Sequence, residues 1–195
     1  MCKRIYQRLL TYVIVFGLIV VVASCNMGTD AEKENEETLE AVLEQLFTGP
    51  DQELIELVND PENQTIIGED VENTNENTNE EENELDVYLE ELNEPYFTEN
   101  ALELFTLVYV LDYQIEAEDN DIKMKPDHID VEQIDEENGR YNFTMDVTYE
   151  DEADEGKSEI GKVKGYANFT DDDKITRFEI TEDEWREGKL DMDSF

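Results

Sequence analysis

The sequence predicts an α+β fold in which N-terminal helices pack on a four-stranded antiparallel sheet. Three observations predict it. Between Glu36 and Ile115, apolar residues recur at three- and four-residue spacing, the period of helices with one buried face. From Ile122 the period changes to two, and acidic or Asn-Gly turns separate the runs. Setting aside an export segment, a tether and an acidic insertion leaves about 145 residues, enough for one domain with its own core.

The chain begins with Lys3, Arg4 and Arg8, followed by an apolar run from Leu9 to Val22 and then Ala23-Ser24-Cys25. A basic head, an apolar middle and a small-residue exit make a secretory signal peptide. The run is shorter than the roughly 20 residues a helix needs to cross the hydrocarbon core. The positive head stays cytoplasmic, which puts the remainder outside. Val22-Ala23-Ser24-Cys25 resembles the lipobox of bacterial lipoproteins. That resemblance implies cleavage before Cys25 and a diacylglyceryl group on its thiol, hence a chain anchored at the outer face of the cytoplasmic membrane. A thiolate is the best side-chain nucleophile for making a thioether, and two acyl chains hold where one binds only marginally. Cys2 leaves with the signal peptide, so no thiol remains for a disulfide.

The expected organisation is a signal peptide over 1–24, a lipidated tether over 25–35, and a single α+β domain over 36–195 with a disordered acidic insertion at 69–84. The first helix carries Leu39, Val42, Leu43, Leu46 and Phe47 and stops at Thr48-Gly49-Pro50. Asp51 caps a second helix bearing Leu54, Ile55, Leu57 and Val58, closed by Asn59-Asp60-Pro61. The insertion repeats Glu72-Asn73-Thr74-Asn75 as Glu76-Asn77-Thr78-Asn79 and holds Val71 as its one apolar residue. It has too little to bury to offset its ordering entropy, and it lacks the ligand spacing of an EF-hand calcium loop.

Leu85, Tyr88, Leu89 and Leu92 mark a third helix ending near Pro95. Thr98 reads as an N-cap for the most apolar segment of the mature chain, Ala101 to Ile115. On a regular α-helix Leu102, Phe105, Val108, Tyr109, Asp112 and Tyr113 share one side, with Leu104, Leu107, Val110 and Leu111 around the rest. Apolar almost all round, this helix is expected to pack deepest against the sheet. The strands follow. Ile129, Val131 and Ile134 belong to the first, and Glu136-Glu137-Asn138-Gly139 is a hairpin turn. Tyr141, Phe143, Met145, Val147 and Tyr149 alternate with Asn142, Thr144, Asp146 and Thr148 in the second. Glu159–Thr170 forms the third, with Val163, Ala167 and Phe169 opposite Tyr166. Asp171-Asp172-Asp173 turns the chain into the fourth, Lys174–Ile180. The tail from Thr181, with Trp185, is expected to fray.

The formal net charge is −40, and more negative once the basic head is removed. That excludes nucleic acid as a partner, since binding it rests on basic patches, and a protein lying flat on anionic lipid. Such charge adds self-repulsion that salt screens, which fits a saline or alkaline habitat. No Lys or Arg occurs between Glu34 and Ile122.

Helices followed by a curved antiparallel sheet are similar to the cystatin-like cone of the nuclear transport factor two-like superfamily. Leu46-Phe47-Thr48-Gly49-Pro50-Asp51, Pro95-Tyr96-Phe97-Thr98 and Lys174-Ile175-Thr176-Arg177-Phe178 look like phrases in small lipoproteins of Gram-positive bacilli. The resemblance implies a sheet wrapped around a cavity, in a superfamily of both enzymes and non-catalytic binding or dimerising modules, so fold alone does not choose.

The motifs leave chemistry sparse. The single His128 stands beside Asp127 and Asp130; there is no G-x-S-x-G elbow, no H-E-x-x-H and no phosphate-binding glycine loop. No catalytic residue, metal site or cofactor is called for, and Cys25 is the one residue assigned specific chemistry. The expected role is a non-catalytic binding or assembly module, with a protein partner or a second copy. The alternative is a small-molecule enzyme whose cavity holds a buried carboxylate, Asp112 ahead of Asp146, against the expectation that Asp112 faces water near the helix end and Asp146 the polar face of its strand. Tyr141, Phe143 and Tyr149 are expected to be core residues, with cavity or dimer lining as the competing role.

Overall fold

The computed structural model describes residues 30–63, 83–135, 138–152 and 156–190. The expected signal peptide, Cys25 and all but the end of the acidic insertion lie outside the described residues.

Helix α1 (Asp30–Leu46) begins ahead of the expected Glu36, because Ala, Glu and Lys are strong helix formers and its leading acids suit the helix dipole. It buries Leu39, Val42, Leu43 and Leu46 along one stripe, and Phe47 follows them into the core. Helix α2 (Gln52–Asn59) is capped as anticipated: the Asp51 carboxylate accepts from the Glu53 and Leu54 amides at 3.0 and 3.2 Å. Helix α3 (Glu84–Asn93) starts where the expected insertion was to end, capped by Asn83, whose side chain accepts from the Leu85 amide.

The turn between α1 and α2 is fastened from two directions. Gly49 exchanges backbone hydrogen bonds with Met124 at 3.2 and 2.7 Å. The buried Gln114 amide donates to Leu46 O at 2.9 Å, and its oxygen accepts from Asp51 N at 2.7 Å. A Cβ at position 49 would lie 2.1 Å from Gln114 Oε1, so a side chain there would displace this clamp.

The most apolar segment is three pieces in one rod: helix α4 (Glu99–Phe105), a π turn (Thr106–Val110) and helix α5 (Leu111–Asp119). Strands β1 (Ile122–Asp135), β2 (Arg140–Asp151), β3 (Ser158–Phe169) and β4 (Ile175–Asp183) form an antiparallel sheet in the order β1-β2-β3-β4, open at both edges. Gly139 closes the β1–β2 connection at φ 54°, the left-handed conformation the Asn-Gly pair calls for.

Residues from Glu34 onward pack as one unit. Tyr141, Phe143, Met145, Val147 and Tyr149 of β2, with Val163, Ala167 and Phe169 of β3, are buried and meet the helices. The first three aromatic positions in question are therefore core. Phe105 stacks on Phe97 at 4.3 Å between centroids and meets Phe178 edge-on. The opposite face of the sheet is polar. Directly opposed Asp146 and Lys162 pair at 2.6 Å, as do Lys164 and Glu182 one pleat along.

Trp185 does not fray. It is 8% exposed and packs on Tyr149 with centroids 5.0 Å apart.

Candidate functional site

The π turn decides what faces the core. Buried positions along the rod run Ala101, Phe105, Val110, Tyr113, Gln114 and Ala117. The step from Phe105 to Val110 is five residues instead of the four of an α-helix, which carries one surplus residue through the turn. Everything after it is rotated relative to the regular-helix expectation. Val108 is thrown outward at 48% exposure, and Leu104 and Leu107 stand at 64% and 60%.

The same rotation removes Asp112 from the core. Its side chain is 61% exposed and ion-paired to Arg186 at 2.7 Å, so it faces water as expected of an acid near a helix end, and the alternative of a buried carboxylate finds none at this position. Asp146 lies on the polar sheet face against Lys162, and His128 is exposed on β1. Neither sits with a second candidate group in catalytic geometry. Among the described residues, no cluster of His, Cys, Asp or Glu is arranged to hold a metal ion. No helix among them is long and apolar enough to cross a membrane.

Among the described residues the acid that is buried is Asp183, at the end of β4 and 5% exposed. One oxygen accepts from the Trp185 and Arg186 amides at 2.9 and 3.2 Å, and the other accepts from the Tyr113 hydroxyl. Burial, then the Asp183 charge, pushes the Tyr113 hydroxyl well above the ordinary tyrosine range. Tyr149 is raised by the same two causes in the same order, and its hydroxyl is buried with no hydrogen-bond partner. Arg186 roofs the group, its guanidinium 3.8 Å over the Tyr113 ring. Glu116 meets its Nη2 at 2.7 Å as an ion pair without hydrogen-bond alignment. With its oxygens held by three donors, Asp183 pins the C-terminal turn onto the helix layer. Sequence reading missed it because one acid among many gives no periodic signal; the spacing Asp183-x-Trp185 at a strand end was the only trace.

The surface feature that stands out is the ridge of Leu104, Leu107 and Val108, with a groove on either side. On one side, Ala101, Leu104, Phe105, Val108, Tyr109 and Phe178 line a cavity of about 280 Å³ against β4. On the other, a groove of about 420 Å³ runs between α3 and the α4–π rod. Leu85, Leu89, Leu102, Leu107 and Leu111 supply its apolar lining, and Asp86, Glu90, Glu99 and Glu103 its charged lining. Exposed apolar groups clustered on a highly charged surface mark a recognition site more readily than a chemical one.

Comparison with protein-family models, curated proteins and solved structures finds no match to the chain.

Proposed function

We propose that the chain is a membrane-anchored extracytoplasmic lipoprotein whose domain is a non-catalytic binding or assembly module. The anchor is a diacylglyceryl group on Cys25 at the outer face of the cytoplasmic membrane, for which Val22-Ala23-Ser24-Cys25 is the support. The cystatin-like cone is part of the same proposal. An α+β order ending in four antiparallel strands is compatible with it.

The observation that carries the binding role is the exposed Leu104, Leu107 and Val108 ridge beside two apolar grooves. Leaving large aliphatic side chains in water forgoes about 1.5–3 kcal/mol each, a cost that a partner's surface offsets. The competing reading as an enzyme named Asp112, which is exposed and ion-paired. The buried acid, Asp183, has both oxygens engaged by Tyr113, Trp185 and Arg186 and lines neither groove, which favours the binding reading.

The test places a photo-crosslinking residue at position 107 of the full-length chain in its native membrane, with position 40, an exposed site on α1, as control. Discrete adducts from 107 and none from 40 are expected. Labelled palmitate should follow the chain and vanish in Cys25→Ala. Equal adducts from both positions contradict the binding site, and label retained by Cys25→Ala contradicts the anchor.

A further inference from the structure

We infer that the groove between α3 and the α4–π rod takes a cationic amphipathic helix of a partner protein; the inference rests on the binding-module reading above and specifies its ligand. The floor is built for a helix. Leu85 and Leu89 are four residues apart on α3, and Leu107 and Leu111 are four apart on the facing rod. Two rows of leucines at that spacing make a trough into which the i, i+3, i+4, i+7 side chains of a third helix seat as ridges into grooves. Leu107, at 60% exposure, is the floor residue the occupant would cover most.

The rim sets the charge. Asp86 and Glu90 on one wall and Glu99 and Glu103 on the other are all exposed, and no basic residue lines the groove. Both walls come from a stretch without Lys or Arg, Glu34 to Ile122, and Lys174, at the α3–α4 connection, is engaged by Glu94 O and Pro95 O. The cavity against β4 differs, with Arg177 and Glu179 both in its lining. A second copy of this chain is a poor occupant, because it would bring its own carboxylates against four fixed ones in a molecule of net charge −40. An anionic bilayer is repelled for the same reason. Lysines or arginines flanking an apolar stripe match both features at once: the stripe covers the leucines, and the cations meet the rim.

The probe is a synthetic amphipathic helix of about five turns, with leucine at i, i+3, i+4 and i+7 and lysine elsewhere. It is titrated by fluorescence anisotropy against the full-length chain in zwitterionic micelles, and each peptide's binding to empty micelles is measured and subtracted. Saturable binding is expected, weakened at least tenfold by Leu107→Glu, several-fold by Glu103→Lys, and not by Glu40→Lys on α1. A scrambled peptide of the same composition should bind at least tenfold more weakly. Equal binding by the scrambled peptide, or an equal loss from Glu40→Lys, overturns the inference in favour of general charge attraction. Equal binding by a glutamate version that stays sensitive to Leu107→Glu overturns the cationic partner while leaving the binding module standing. A parent chain that dimerises and is made monomeric by Leu107→Glu overturns it in favour of a second copy. No binding by any peptide overturns it outright, and crosslinking at position 107 then decides the module separately.

Discussion

Asp183, Tyr113, Tyr149 and Trp185 form a polar knot inside an apolar core. Tyr149 carries a buried hydroxyl with no partner. An unmade hydrogen bond costs more than one never offered, so Tyr149→Phe should stabilise the protein by about 1 kcal/mol at neutral pH in urea unfolding. A destabilised variant would show that the hydroxyl has a partner after all. The same residues set the alkaline limit. The Tyr113 and Tyr149 hydroxyls are raised above their unfolded value, so from about pH 10, where free tyrosine titrates, the unfolded chain holds fewer protons than the native one. Stability is therefore complete below pH 10 and falls as pH rises beyond it. Tyr149→Phe should make that fall shallower; an unchanged slope would assign the loss to other groups.

Trp185 is the single tryptophan, so its fluorescence reports the tail directly. Buried against Tyr149 and near Tyr113, it should emit at short wavelength and resist iodide quenching. Trp185→Ala should cost about 3 kcal/mol. A frayed tail would quench freely and lose almost nothing. No periodicity runs through the tail, which is why its docking could not be read from sequence.

Between elements, the Gln114 clamp is the joint that sets α1 and α2 against α5 and, through Gly49, against β1. Gln114→Ala would strand Leu46 O and Asp51 N, at a cost of about 2–3 kcal/mol for two unpaired groups. Urea unfolding checks it, and a loss below about 0.5 kcal/mol would mean water replaces the amide. Glutamine in the middle of an apolar helix gave no hint of this role. The Asp51 cap and the strands were legible, since Asp51 precedes an amphipathic run and β2 alternates across its length, whereas Thr98 stands at its helix start without a side-chain cap and donates to Ile175 O instead. The phase of the α4–π–α5 rod was not, because a segment apolar nearly all round fixes no single buried face. A regular period groups Asp112 with Phe105, and one surplus residue in the π turn separates them.

Across the whole molecule, charge is the dominant long-range term. Cross-strand pairs such as Asp146–Lys162 are solvent-exposed and contribute little each, while the net −40 repels over a Debye length of about 10 Å at 0.1 M salt. Raising salt from low ionic strength towards 1 M, where that length falls to about 3 Å, should raise the melting temperature by several degrees. A flat or falling midpoint would mean the native state has no repulsion to screen.

The π turn carries a residue the core does not use, and its retention leaves Val108 on the surface beside Leu104 and Leu107. Deleting Val108 restores a four-residue step from Phe105 to the position now held by Val110 and keeps both buried faces in phase. The decisive measurement is the urea unfolding of the chain lacking Val108. The expected result is one cooperative transition within about 1 kcal/mol of the parent, the range of a change that creates no cavity and strands no buried group. Loss of that transition would show that packing requires the fifth residue, and that the exposed ridge is a by-product of the core.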